Sequence, residues 1–92
     1  MADPQSEICW VEVFAALASE PRLRIAKILS RGDVQCQDIL TELDLSQPAI
    51  SYHLAKLERA GVLAKERQGT RNCYRLRDKV RALIRMTTKE DE

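Results

Sequence analysis

The stretch from Ser46 to Gly61 constrains the fold more than any other part of the chain. Ser46-Gln47-Pro48 is a helix start, with a serine able to cap and a proline in the first turn, where no N–H bond is lost. Ile50, Leu54 and Leu57 then fall at i, i+4 and i+7, giving one apolar stripe. Gly61 supplies the left-handed residue that ends the helix. A helix Ser46–Ala60 of this kind must lay one face on a core and leave the opposite face in water. That outer face holds Gln47, Pro48, Ser51, Tyr52, Ala55 and Lys56.

The same start signal occurs once before. Ser19-Glu20-Pro21 opens a helix that Leu23, Ile25, Ala26, Ile28 and Leu29 continue, until Arg31-Gly32-Asp33 turns the chain. Ahead of it, Ile8, Val11, Phe14, Leu17 and Ala18 recur at helical spacing and predict a first helix over Ser6–Ala18. Ile39, Leu40 and Leu43 mark a short third helix, Cys36–Leu43, joined to the next by the tight connector Asp44-Leu45-Ser46. Past Gly61 the period changes. Val62–Arg67 and Asn72–Leu76 flank Gln68-Gly69-Thr70-Arg71, the pattern of a hairpin with a basic tip. Val80, Leu83 and Ile84 give a last helix, Asp78–Met86. The expected fold is mainly α with one hairpin, in the order α-α-α-α-β-β-α. It forms one domain over residues 6–86, with flexible ends at 1–5 and 87–92.

Net charge is only +1, but its distribution is uneven. Residues 1–45 hold four Lys/Arg against eight Asp/Glu, a balance of −4. Residues 46–85 hold ten against three, a balance of +7. A basic half of this size is the electrostatic footprint of a polyanion binder. No run of about 18 apolar residues is present, and no basic start leads into an apolar stretch, so a cytoplasmic protein without a membrane partner is expected.

Two short helices joined by a three-residue turn, the second polar on its outer face, form a helix-turn-helix signature. In such a motif the second helix enters the major groove and its N-terminal residues meet base edges. Gln47 can bond adenine through two atoms, Ser51 can serve either base type, and Tyr52 can reach a phosphate or a base; Pro48 and Lys56 share their face. The hairpin that follows, with Lys65, Arg67, Arg71 and Arg75, is a natural wing for phosphates or the minor groove. The reading is a DNA-binding winged helix-turn-helix, not an enzyme. Two other classes compete with it. A protein-docking module should expose more apolar surface. A thiol enzyme using Cys36 and His53 lacks any Gly-rich or acid/base constellation around them.

The blocks Ser19-Glu20-Pro21-Arg22-Leu23-Arg24-Ile25 and Leu45-Ser46-Gln47-Pro48-Ala49-Ile50-Ser51-Tyr52-His53-Leu54-Ala55-Lys56-Leu57 resemble the ArsR/SmtB repressors. Ala60-Gly61-Val62-Leu63 and the wing segment Gly69-Thr70-Arg71-Asn72-Cys73-Tyr74-Arg75-Leu76 are similar to theirs too, and the resemblance covers residues 10–85. It implies a homodimer joined through its first and last helices, binding to double-stranded operator DNA, and release by a metal, metalloid or oxidant. Two departures bear on the inducer. Family members with a third-helix metal site carry Cys-x-Cys near its start, whereas Val34-Gln35-Cys36-Gln37-Asp38 has one thiol. Members that sense zinc between last helices use histidines there, and Asp78–Met86 has none.

Three cysteines, odd in number and widely spaced, do not read as a disulfide framework. Cys36, in the first turn of the third helix, is the thiol best placed for activation, though Asp38 opposes it; a small buried hydrophobe is the bland alternative. The resemblance implies that Cys9 of one subunit could approach Cys36 of the other, against simple packing in the dimer interface. Cys73 alternates with Asn72 and Tyr74 on a strand, and either sits exposed on the wing or fills space beneath it. No cofactor is required by this pattern. Three thiols could hold a soft ion such as arsenite, or two could form a disulfide under oxidant. His53, at the edge of the apolar stripe, reads as a packing or hydrogen-bonding residue.

Overall fold

The computed structural model describes residues 8–88. The ends expected to be flexible lie wholly or in part outside the described residues. In chain order the elements are α1 (Trp10–Leu17), α2 (Glu20–Leu29), β1 (Gln35–Cys36), a 3-10 helix (Gln37–Glu42), α3 (Gln47–Arg59), β2 (Leu63–Gln68), β3 (Arg71–Leu76) and α4 (Asp78–Thr88). The helices pack around one core that includes Val13, Ile25, Leu40, Ile50, Leu54, Leu57, Leu76 and Val80. An antiparallel sheet of order β1-β3-β2 closes one side.

Both Ser-x-Pro starts sit where expected. Ser46 is the N-cap of α3, and its hydroxyl accepts the Ala49 N–H at 3.2 Å. Ser19 occupies the N-cap of α2 but makes no side-chain cap bond; its carbonyl alone takes the Leu23 N–H, at 2.8 Å. Gly61 has φ +86° and forms a Schellman end to α3. Its N–H donates to the Glu58 carbonyl and the Val62 N–H to the Leu57 carbonyl. The chain thereby leaves α3 already pointed into β2. Leu63 pairs with Leu76 and Gln68 with Arg71, around a two-residue loop whose first residue, Gly69, has φ +65°. That is the arrangement a right-twisted hairpin prefers.

Three expectations are corrected. First, α1 starts at Trp10, four residues later than the periodicity suggested, with Cys9 extended at its N-cap. Its buried residues are Val13 and Leu17, and the expected stripe members Val11 and Phe14 are 78% and 53% exposed. Ile8, outside the helix and half-buried against the core, anchors the chain just before this start. Second, the third helix is a 3-10 helix, with Leu43 N–H bonded to the Leu40 carbonyl three residues back. Six residues yield few i→i−4 bonds to offset nucleation, so the tighter ladder wins. Third, Cys36 does not lie in that helix. It belongs to β1, whose two residues pair with β3 as Gln35 with Tyr74 and Cys36 with Cys73.

The last pairing is covalent. Cys36 and Cys73 form a disulfide 37 residues apart in sequence, correcting the reading that no framework exists. On the strand Cys73 alternates with its neighbours, and it is fully buried, paired with Cys36 of the adjacent β1. Cys9 is free and exposed, while Cys36 is bonded within its own chain to Cys73.

Leu57 is fully buried where α3 meets the core. Leu57→Ala should lower unfolding free energy by about 2–5 kcal/mol in urea titrations, the range for a leucine cavity in a packed interior. A loss far below that range would mean that α3 is not anchored by this stripe.

Candidate nucleic-acid interface

The geometry of α3 separates its two faces cleanly. Ile50, Leu54 and Leu57 are at most 2% exposed, while Gln47, Pro48, Ser51, Tyr52, Ala55 and Lys56 all face solvent. Leu40 of the 3-10 helix and Leu43 just after it are buried in the same core as the α3 stripe. Tyr52 is held rather than loose: its ring lies 5.3 Å from the His53 ring edge-on, and Lys56 Nζ sits 5.5 Å from its centroid. The cation over the ring keeps both side chains on the outer face.

β2 and β3 extend the basic surface beyond α3. Lys65, Arg67 and Arg71 are exposed on the hairpin. Arg75 is different. Its Nε donates to Glu66 Oε2 at 2.8 Å across the two strands, and this bond raises the Arg75 pKa above its ordinary value. Arg75 therefore has an internal carboxylate partner and braces the hairpin.

His53 carries a link that sequence reasoning left unspecified. Its Nδ1 lies 3.3 Å from Arg22 Nη1, and Arg22 Nε donates to the Ala16 carbonyl at 2.7 Å. A guanidinium has only donors, so Nδ1 must accept and the imidazole must be neutral there. Desolvation, and then the Arg22 charge, hold the His53 pKa below its ordinary 6.5. One arginine thus touches α1, α2 and α3 together. Among the described residues no group of three His, Cys, Asp or Glu side chains is placed to hold a metal ion. No helix among them is long and apolar enough to cross a membrane.

Known proteins share this arrangement. The family model for bacterial regulatory proteins of the arsR family matches residues 19–65. The arsenical resistance operon repressor of Escherichia coli is 45% identical over 67 residues, which is 72% of this chain and 57% of the repressor. The chain thus spans little more than half of that relative. Among solved structures, HlyU from Vibrio cholerae superposes with a TM-score of 0.79 at 30% identity, covering 88% of this chain and 89% of HlyU. The homodimeric winged helix-turn-helix DNA-binding domain of a possible ArsR-family regulator from Mycobacterium bovis gives a TM-score of 0.77 at 27% identity, covering 89% and 77%.

The His53 shift has a signed consequence for stability. Above 6.5 both folded and unfolded states carry a neutral ring, so the shift contributes nothing. As pH falls through 6.5 the unfolded chain takes the proton first, and stability drops until the folded ring protonates. His53→Gln should flatten the fall in melting temperature on acidification below 6.5, measured by circular dichroism at a series of pH values. An identical pH profile in the variant would disconnect His53 from that loss.

Proposed function

The chain belongs to the ArsR family of bacterial regulatory proteins, and from that premise we propose that it is a homodimeric repressor that acts on operator DNA in the cytoplasm. The observation that carries the reading is the polar face of α3, fully exposed over a buried stripe and continuous in sequence with a basic hairpin. In this reading Gln47, Pro48, Ser51, Tyr52 and Lys56 enter the major groove, and Arg67 and Arg71 hold phosphates flanking it. Release is sensed through thiols, by a soft metal or metalloid or by an oxidant or sulfur species.

The two kinds of contact have different signatures. Ser51→Ala or Gln47→Ala should cost about 1–3 kcal/mol on the operator and little on random DNA. Arg67→Ala and Arg71→Ala should weaken both DNAs alike and flatten the salt dependence by about one unit for each phosphate no longer held. Gel shifts on the DNA upstream of the protein's own coding sequence, over a salt series, measure both. Equal weakening on operator and random DNA in the α3 variants would remove these residues from base reading.

Assembly rests on α1. Trp10 and Phe14 lie with ring centroids 5.7 Å apart and, with Val11, form an apolar face that the other described residues leave exposed. Met86 at the end of α4 is 72% exposed as well, whereas Val80 and Ile84 go into the chain's own core. A second copy covering both helices would make a two-fold dimer whose α3 helices meet half-sites one DNA turn or a multiple apart, about 34–36 Å per turn. Phe14→Glu leaves the monomer core untouched, so it should give a folded monomer in sedimentation with greatly weakened operator affinity. A dimer that persists in this variant would move the interface elsewhere.

A further inference from the structure

Resting on the repressor reading, we infer that Cys36 and Cys73 form a dithiol–disulfide pair that takes electrons to a hydroperoxide, and that closing the bond loosens the grip on DNA. The two sulfurs are bonded across β1 and β3, and they differ in access. Cys36 is half-buried and reachable from solvent, while Cys73 is fully buried. That asymmetry assigns the roles. In the dithiol form the Cys36 thiolate attacks one oxygen of the hydroperoxide and breaks the O–O bond. An alcohol, or water from hydrogen peroxide, departs, and Cys36 is left as a sulfenic acid. The Cys73 sulfur then attacks the Cys36 sulfur; the hydroxyl takes the Cys73 proton and leaves as water. Two thiols have given two electrons, and one S–S bond has formed. In the reverse direction a dithiol reductant attacks the accessible Cys36 sulfur, Cys73 departs as the thiol, and the reductant's second thiol resolves the mixed disulfide.

A redox pair fits these residues better than a site for a soft ion. Two sulfurs without a third donor make a poor cage, and among the described residues no third His, Cys, Asp or Glu joins them. Two sulfurs are, however, all that a disulfide needs.

The position of the pair carries the effect to the DNA-facing surface. Cys36 immediately precedes the 3-10 helix that leads into α3, and Cys73 lies two residues from Arg71 on the wing. The loop that the bond closes contains all of α3 and both sides of the hairpin turn. Closing the bond ties β3, and with it Arg71 and, through the two-residue loop, Arg67, to the entrance of the helix-turn-helix, so that wing and helix no longer adjust to a duplex independently. The recognition helix and the wing must fit one stretch of duplex together, and two such units in a dimer must do so at once.

The test uses the full chain carrying Cys9→Ser, so that only this pair can respond. Hydrogen peroxide should convert it to a species lacking two hydrogens, with Cys36 and Cys73 joined in peptide mass spectrometry. Its affinity for the DNA upstream of its own coding sequence should fall at least about fivefold and return with a dithiol reductant. Cys73→Ala and Cys36→Ala, each checked for folding by circular dichroism, should bind that DNA and ignore peroxide. Disulfide formation with equal or tighter DNA binding would overturn the switch while leaving the DNA-binding reading intact. So would peroxide release that survives in either single-alanine variant. Absence of DNA binding in both redox forms would instead sink the repressor reading, and the switch with it.

Discussion

Burial of Ile50, Leu54 and Leu57 is the constraint on which the rest of the molecule depends. These three side chains fix the rotation of α3 about its own axis, and that rotation decides which residues reach water. Adjacent residues on a helix are about 100° apart, so a slip by one position would bury Ser51 and expose Ile50. The core opposite the stripe comes from α1, α2 and the start of β2, each of which packs against α3. The Schellman end at Gly61 then converts the direction of α3 into the direction of β2 within two residues. A side chain at Gly61 would meet the Arg77 guanidinium 3.1 Å away and be strained at φ +86°. The hairpin is therefore a rigid continuation of the helix and not an arm on a linker.

Much of this was legible in the sequence. The Ser46 and Ser19 starts, the stripe, Gly61 and the turn at Gly69 are local signals with local causes, and each element they predict is present. The exposed face of α3 followed from the stripe alone. Failures arose where a distant contact decided the outcome. Val11 and Phe14 have helical spacing with Leu17, but Val13 and Leu17 point at the α2–α3 side and win the core. β1 is two residues long, too short for alternation to show, so its pairing with Tyr74 and Cys73 had no local trace. The disulfide was hidden for the same reason: residues 37 apart become neighbours only once the sheet order β1-β3-β2 exists. Arg75 looked like a wing cation because its partner Glu66 is cross-strand, and only the register places them together.

The uncovered face of α1 and the buried face of α4 show how a chain of 92 residues divides its apolar surface. α4 commits Val80 and Ile84 to the interior, where Leu76 and Leu29 also lie. Arg81 fastens the same helix to the α2–β1 turn, donating to the Asp33 carboxylate at 2.9 Å and to the Asp33 carbonyl at 3.0 Å. α1 buries Val13 and Leu17, packs Ala16 against the core, and keeps two aromatic rings outside. An exposed Trp and Phe on one helix turn are costly to leave in water, and the wide polar face of α3 shows that apolar exposure is not general on this surface.

Two links tie the DNA-facing elements to the rest of the domain, and they answer to different chemistry. Arg22 bonds the Ala16 carbonyl at the end of α1 and the His53 ring on α3 through one guanidinium, so the angle between those helices is set partly by a donor that needs a neutral imidazole. Adding a proton to His53 removes the lone pair that accepts and places two cations side by side. The Cys36–Cys73 bond instead ties the start of the helix-turn-helix to the wing, and it is made or broken by electron pairs. The first link lies on the α1 side of α3 and the second on the sheet side, with the Ile50–Leu54–Leu57 stripe between them. Neither replaces the stripe, which holds α3 in the core beside both links. Each can therefore bias the relation of α3 to a neighbour without unfolding either, since a close-packed interior yields by small rigid displacements.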